Sequence, residues 1–420
     1  MNNISPNGRV WFKEIFNAKN IAIIGASEDP TKLGYRVLEK FLKTNCRIFP
    51  VHPKSKEILG LKVYSSVHEI AENIDLAIIL VPPNVVPQII QECGMKKIKY
   101  IIITTEGFGE SGPEGTKLKK DIEKLLEIHK MHIIGPNTMG VIDIHRKFST
   151  SFVDHSFLRP GNVSISAQTG ILTGALLQYI NLTKNIGICK SIDLGNKMGL
   201  DHADVLEYLA EDEKTEVIIM YIEGVSNGKK FLNSLKKTIK KKPVIILKGG
   251  ATEETQRLVK SHTGSIAGSI NVFDNIVKQA GAIRVQTYEE MIEVAKGFSY
   301  LPLPKGNRIA IITGSGGASV STADAAIRYG LKLANFSDST IKQLLEIVGN
   351  PEKINNPVDI WPAGLNYGLA EIYSKTISIL KQEANVDAII PLLFRVRDFK
   401  WDPKKVIEAC KGSEKPILVA

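Results

Sequence analysis

The chain has 420 residues, enough for two or three domains at roughly 150 residues each, and its 43% hydrophobic and 23% charged residues are the balance of an ordinary globular protein. No apolar run reaches the roughly 20 residues that a membrane helix needs, and residues 1–19 lack the apolar core and cleavage site of a secretory signal, so no membrane partner and a cytoplasmic location are expected. The net charge of +10 suits anionic ligands, but the lysines are scattered and not interleaved with aromatics, which argues against a nucleic-acid partner.

Short β-branched runs, each followed by a turn and a helix-period segment, recur along the chain in the pattern of parallel βαβ units. Strands are expected at residues 21–24, 47–51, 76–81, 100–104 and 132–134. All are near-continuous apolar runs, as in a sheet covered by helices on both faces. They define a first domain over residues 1–145. A second series at residues 162–166, 186–192, 217–222, 244–247 and 283–285 defines a domain over residues 146–300. A third begins at residues 308–313, after the joint Leu301-Pro302-Leu303-Pro304. It includes a strand at 388–391 and ends in another at 416–419, covering residues 301–420. No crossover helix follows that last run, so a C-terminally truncated third domain is expected. The fold class is therefore α/β, with three consecutive Rossmann-like or flavodoxin-like doubly wound parallel sheets.

In such sheets ligands bind beyond the carboxyl ends of the strands. The first strand ends at Gly25-Ala26-Ser27, and a helix-like segment follows Gly34. Glycine lets the backbone approach a phosphate, and a helix N-terminus offers free N–H groups. The spacing from Gly25 to Gly34 is too long for GxGxxG, and the second strand runs into His52-Pro53-Lys54 with no acidic ribose-binding residue. A nicotinamide dinucleotide is therefore disfavoured, whereas Lys54 can face an anionic ligand. Two more strands end on the same edge at Val81-Pro82-Pro83 and Thr104-Thr105-Glu106-Gly107, which makes a ligand site there the expectation.

The second series carries the most informative segment, Lys260-Ser261-His262-Thr263-Gly264-Ser265-Ile266-Ala267-Gly268. Its small residues leave room for a phosphoryl group beside the one imidazole, His262. Glu223 follows the strand at residues 217–222. Its carboxylate can hold the protonated ring nitrogen of His262 while the other nitrogen attacks phosphorus. The turn Ala167-Gln168-Thr169-Gly170 ends another strand and is a candidate anion cradle. A similar turn, Thr313-Gly314-Ser315-Gly316-Gly317-Ala318, opens the third series and is given no catalytic role. Cys46, Cys93, Cys189 and Cys410 are scattered and form no CxxC pair, so neither a disulfide framework nor a metal site is expected.

Taken in order, these motifs resemble those of the NDP-forming acyl-CoA synthetases, notably the α subunits of ADP-forming acetyl-CoA synthetase and, more distantly, of succinyl-CoA synthetase. Residues 261–268 are similar to the family's phosphohistidine loop, and Tyr221-Ile222-Glu223-Gly224 to its glutamate strand. Ile134-Gly135-Pro136-Asn137, Leu194-Gly195-Asn196-Lys197 and Asn356-Pro357-Val358-Asp359 match further blocks, and the resemblance covers nearly the whole chain. It implies a ligase that interconverts acid, CoA and ATP with acyl-CoA, ADP and phosphate, through an acyl phosphate and phospho-His262. It further implies that Gly25, Ser27, Lys54, Val81, Pro82, Glu106 and Asn137 contact coenzyme A. Gln168, Thr169, Gly170, Gly264 and Ser265 would hold the phosphoryl group. No ATP-grasp region is visible, so ATP or ADP and Mg²⁺ would sit on a partner β subunit in an α2β2-like assembly that acts on a small carboxylic acid. The chain departs from the family pattern at Ala167 and Thr169, where serines are usual, and at His52, where asparagine is usual. Glu106 is closer to the succinyl type, so the acid is not determined by these residues. The alternative is a CoA-binding regulatory or acetyltransferase-associated protein without ligase turnover, against which the intact His262 and Glu223 argue.

Overall fold

The structure, a computed structural model, describes residues 8–252, 254–255, 269–394 and 401–420. His262, Gly264 and Ser265 lie outside the described residues. The chain divides into two compact units, Met1–Ser299 and Tyr300–Ala420.

The first unit opens with helix α1 (Gly8–Asn17), which was not anticipated within the mixed N-terminal sequence. Trp11, Phe12, Ile15 and Phe16 fall on one side of it and are buried. A five-stranded sheet follows, made of β1 (Asn20–Ile24), β2 (Arg47–Val51), β5 (Leu76–Ile79), β6 (Tyr100–Ile103) and β7 (His132–Ile134). A small hairpin, β3 (Glu57–Ile58) and β4 (Leu61–Lys62), interrupts the series. The order is β2-β1-β5-β6-β7 with every pairing parallel. The chain leaves β1 to one side and returns on the other, so the sheet reverses between β1 and β5. Helices α2 (Leu33–Phe41), α3 (Val86–Met95) and α4 (Gly112–His129) cover it.

The second sheet begins earlier than the expected boundary at 145. Strands β8 (Val141–Asp143) and β9 (Phe148–Ser149) form an antiparallel hairpin on its edge. The remaining strands are β10 (Pro160–Ala167), β11 (Ile188–Asp193), β12 (Val217–Ile222), β13 (Val244–Lys248) and β14 (Ile283–Val285), in the order β14-β13-β12-β10-β11-β8-β9. The five later strands are mutually parallel, and the winding reverses between β10 and β12. Helices α5 (Gly170–Thr173), α6 (Ala175–Leu182), α7 (His202–Leu209) and α8 (Gly228–Thr238) lie between these strands in sequence.

Phe148 of β9 packs edge-on against both Phe16 of α1 and Phe41 of α2, with ring centroids 6.1 and 5.9 Å apart. Phe16 also stacks on Tyr208 of α7 at 5.6 Å. One apolar cluster thus runs from α1 through α2 and β9 to α7 and β12, and the two sheets share it.

The second unit holds β15 (Arg308–Thr313), flanked by β18 (Ala388–Leu392) on one side and by two short strands, β16 (Lys332–Leu333) and β17 (Val358–Asp359), on its other edge. Neither short strand spans β15, and the Asn356 side chain fills the gap between them. It accepts from Ile311 N at 3.0 Å and donates to Ile309 O at 2.7 Å. The run at 416–419 is not the full strand expected. Ile417 makes a single parallel bridge to Ile389, supported by Leu418 N donating to Ile389 O at 2.9 Å. Among the described residues no helix is long and apolar enough to cross a membrane.

Candidate functional site

Both reversal points of the first unit carry side chains and turns suited to binding. Beyond β1 and β5 lies a cleft of about 580 Å³ lined by Gly25, Ala26, Ser27, Lys32, Gly34, His52, Val81, Pro82, Gln88 and Glu92 among others. Gly25 has φ +93°, and a Cβ there would stand 2.8 Å from Leu80 O. Gly34, in the first turn of α2, lies so close that its Cβ would meet Gly25 O at 2.0 Å. The two glycines therefore let the strand end, the helix start and the floor of the cleft approach one another. The N-terminus of α2, with Lys32 at its cap, opens on the cleft and offers orphan N–H groups and a cation.

Of the residues expected at this site, Gly25, Ser27, Val81 and Pro82 line the cleft. Lys54 and Glu106 are exposed and are not among the lining residues, nor is the half-buried Asn137. His52 organises the turn before Lys54, because its Nδ1 accepts from the backbone N–H of Lys54 at 3.3 Å and of Ser55 at 3.1 Å. That fixes the ring's other nitrogen as the protonated one when the ring is neutral.

Asn137 belongs to a different structure. Its N–H donates to Thr105 O at 2.9 Å, and Thr105 Oγ1 donates to Val81 O at 2.7 Å, so the ends of β5, β6 and β7 are linked side by side. The loop Gly135-Pro136-Asn137 then joins the loop Gly195-Asn196-Lys197-Met198 of the second sheet. Asn196 N donates to Pro136 O at 2.9 Å and Met198 N to Gly135 O at 3.0 Å. Asn196 Nδ2 donates to Glu110 Oε2 at 2.6 Å, and Glu110 Oε1 accepts from Gly107 N at 2.7 Å. Two sequence blocks far apart in the chain are thus the halves of one hydrogen-bonded junction between the cleft and the second sheet.

At the second reversal point, four adjacent strands present a row of polar side chains. Lys248 ends β13, Glu223 follows β12, Gln168 follows β10 and Asp193 ends β11. They are 6%, 4%, 2% and 1% exposed, so the row is buried. Gln168 Oε1 accepts from the backbone N–H of Glu223 at 2.9 Å and of Gly224 at 3.1 Å, which bridges β10 to β12 across the reversal. Lys248 Nζ donates to Glu223 O at 2.9 Å. Lys197 Nζ donates to Gly224 O and to Asp201 Oδ1, the latter at 3.0 Å. Two ammonium groups and one carboxamide therefore hold the backbone that carries Glu223. Thr169 and Gly170 follow at the start of α5, and both remain half-exposed beside the row.

The electrostatics follow from burial. Desolvation pushes Asp193 up to about 6, against the Met139 and Gly195 N–H groups that donate to its carboxylate at 2.7 and 3.2 Å. Desolvation also pulls Lys248 down to about 8, opposed in part by the charge of Glu223. The segment carrying His262 leaves from the end of β13, the strand next to Glu223. The contact expected between Glu223 and His262 lies outside the described residues.

Sequence reasoning missed Lys32, Glu110, Asp193 and Lys248. Lys32 could have been found from its place just before Leu33-Gly34. Asp193 and Lys248 are strand-terminal polar residues, and the strand-end rule applied to every strand would have flagged them.

A family model described as "CoA binding domain" matches residues 19–143, and one described as "Succinyl-CoA ligase like flavodoxin domain" matches residues 160–298. The chain is 41% identical to the acetate–CoA ligase [ADP-forming] II subunit alpha of Pyrococcus furiosus, covering 90% of this chain and 81% of that one. It is 37% identical to the acetate–CoA ligase [ADP-forming] II of Archaeoglobus fulgidus, covering 96% of this chain and 60% of that longer protein. Among solved structures, a dinucleotide-forming acetyl-coenzyme A synthetase 1 from Ca. Korarchaeum cryptofilum, in complex with phosphate and ADP, superposes with a TM-score of 0.88 at 31% identity. That match covers 97% of this chain and 88% of the other.

Proposed function

The chain belongs to the family of ADP-forming acyl-CoA synthetases, and on that footing we propose that it is the CoA-binding, phosphohistidine-carrying part of such a ligase. It interconverts acid, CoA and ATP with acyl-CoA, ADP and phosphate. The observation that carries the reading is the buried row Lys248, Glu223, Gln168 and Asp193 at the reversal point of the second sheet, joined by hydrogen bonds to the cleft of the first.

The cleft suits coenzyme A, with the diphosphate at the N-terminus of α2 beside Lys32, Gly25 and Ser27, and the pantetheine running past Val81 and Pro82. Its thiol end then reaches toward the junction made by Asn137 and Asn196. Phosphate attacks the acyl-CoA carbonyl, the C–S bond breaks, and an acyl phosphate and free CoA result. His262 attacks the acyl phosphate through its neutral ring nitrogen. The P–O bond to the acyl group breaks, and the carboxylate leaves. Glu223 holds the opposite ring N–H and stabilises the positive charge that develops. Gln168, Thr169, Gly170, Gly264 and Ser265 surround the phosphoryl oxygens. Phospho-His262 then delivers the group to ADP, which a partner subunit of the ATP-grasp type binds with Mg²⁺. The partner is the natural complement, because the chain spans 81% of a relative that is itself named a subunit and 60% of one that is not. An α2β2-like assembly and a cytoplasmic location, where CoA and ADP are held, complete the reading.

The test is phosphorylation. Full-length chain, mixed with its ATP-grasp partner, Mg²⁺ and γ-³²P-ATP, should acquire acid-labile, base-stable label. His262→Asn should abolish it, and Glu223→Gln should slow labelling by roughly 100-fold, within the range for removing a positioned charge, while leaving CoA affinity unchanged. Equal labelling of His262→Asn would end the proposal. A panel of carboxylic acids in the same assay identifies the substrate.

A further inference from the structure

His202 opens α7 behind Asp201, which caps the helix, and is wholly buried. Its ring spans two residues of the β10 end. Nδ1 lies 3.0 Å from Ser166 Oγ, and Nε2 lies 3.0 Å from Gln168 Oε1. That same oxygen already accepts two backbone N–H groups, from Glu223 and Gly224. It is an acceptor only, so Nε2 of His202 must carry the proton. The ring is kept neutral by its burial and by the nearby charge of Lys197. Nδ1 is therefore an acceptor, and Ser166 Oγ donates to it.

The consequence falls on Gln168. A carboxamide can turn over and exchange its oxygen for its –NH₂ at little intrinsic cost, and the two faces have opposite chemistry. Three donors converging on Oε1 prevent the exchange. Turned over, the –NH₂ would confront the two backbone N–H groups, and His202 would have to move its proton from Nε2 to Nδ1 to avoid a third clash. The donor side of Gln168 is thus directed away from the Glu223–Gly224 backbone. A donor binds a phosphoryl oxygen, whereas an oxygen in its place would repel one.

We propose that His202 is a positioning residue for phosphoryl transfer, holding the carboxamide of Gln168 in the orientation that presents –NH₂ to the phosphoryl group through the chain Ser166 Oγ–H to Nδ1 and Nε2–H to Oε1. The inference rests on the phosphohistidine reading above. His202 touches neither phosphoryl group nor acceptor and acts only through Gln168.

Two measurements on the full chain test it. The first uses acetyl [³²P]phosphate as phosphoryl donor and follows the single-turnover rate of labelling. His202→Leu, which removes the donor, should label about tenfold more slowly, the worth of one hydrogen bond. His202→Gln, whose –NH₂ can reach the same oxygen, should recover to within about threefold of the parent. CoA affinity by calorimetry should be unchanged in both. Parental labelling by His202→Leu, or equal losses in the two variants that track their melting temperatures, overturns the proposal. The second reads the ring directly by ¹⁵N NMR. His202 should be a neutral Nε2–H tautomer, and a proton on Nδ1 overturns the proposal whatever the labelling shows. If the parent chain takes no label while the ring shows Nε2–H, the phosphohistidine reading fails and the orientation of Gln168 stands.

Discussion

Asp193 is a carboxyl group with 1% of its surface exposed, and this burial sets a pH dependence of definite sign. Its folded-state value is pushed up to about 6 from an ordinary 3.8, chiefly by desolvation. The fold therefore favours the protonated form. The stability this confers is complete below about pH 4 and is lost as pH rises through about 6. A difference of about two units corresponds to roughly 3 kcal/mol. Asp193→Asn cannot ionise, so relative to the parent it should gain roughly 2 kcal/mol between pH 4.5 and pH 7.5 in urea unfolding. A constant difference across that range would show that Asp193 does not titrate there. At this scale the sequence was only partly readable. Glu223 and Gln168 announced themselves by following apolar strands. Asp193 ends an apolar strand and is legible by the same rule, whereas His202 is not, because burial and a distant partner make it what it is.

The element that shapes the cleft is α2, and its approach to β1 depends on Gly34. A methyl group there would stand 2.0 Å from Gly25 O, so the helix must move away from the strand end. Gly34→Ala should lose about 1–3 kcal/mol of stability, as overpacked sites do, and bind CoA about tenfold more weakly, a loss of about 1.4 kcal/mol. Calorimetric affinity within error of the parent would remove α2 from the CoA site. The strands of the first unit were legible because most are short apolar runs rich in Ile, as in a sheet covered on both faces. The edge hairpin of β8 and β9 was not, because two- and three-residue strands carry no period. Helix α1 was also missed, since its four buried apolar residues amount to barely two turns of pattern.

For the whole molecule, the core shared through Phe16, Phe148 and Phe41 joins both sheets of the first unit. A fragment of residues 1–299 should therefore unfold in one cooperative transition and bind CoA within about threefold of the full chain, less than 1 kcal/mol. Two separate transitions, coincident with the first and second sheets, would refute this. Phe16→Ala in the same fragment should cost roughly 3–5 kcal/mol, because the ring packs against residues from both sheets. The expected three-domain division followed the composition, in which each series of strands looks alike. Side-chain packing between sheets has no signature along the chain, so the shared core could not be read from it.

Periodicity and turn chemistry determined from the sequence alone that this is a parallel α/β protein with glycine-bearing strand ends, because apolar runs and glycine positions act locally. The same local rules singled out Gly25, Gln168 and Glu223. Only the tertiary structure decided which of those ends meet. Strand order is set by long-range pairing, and it placed Gln168 against Glu223, put Lys248 and Asp193 on either side of them, and closed Asn137 onto Asn196.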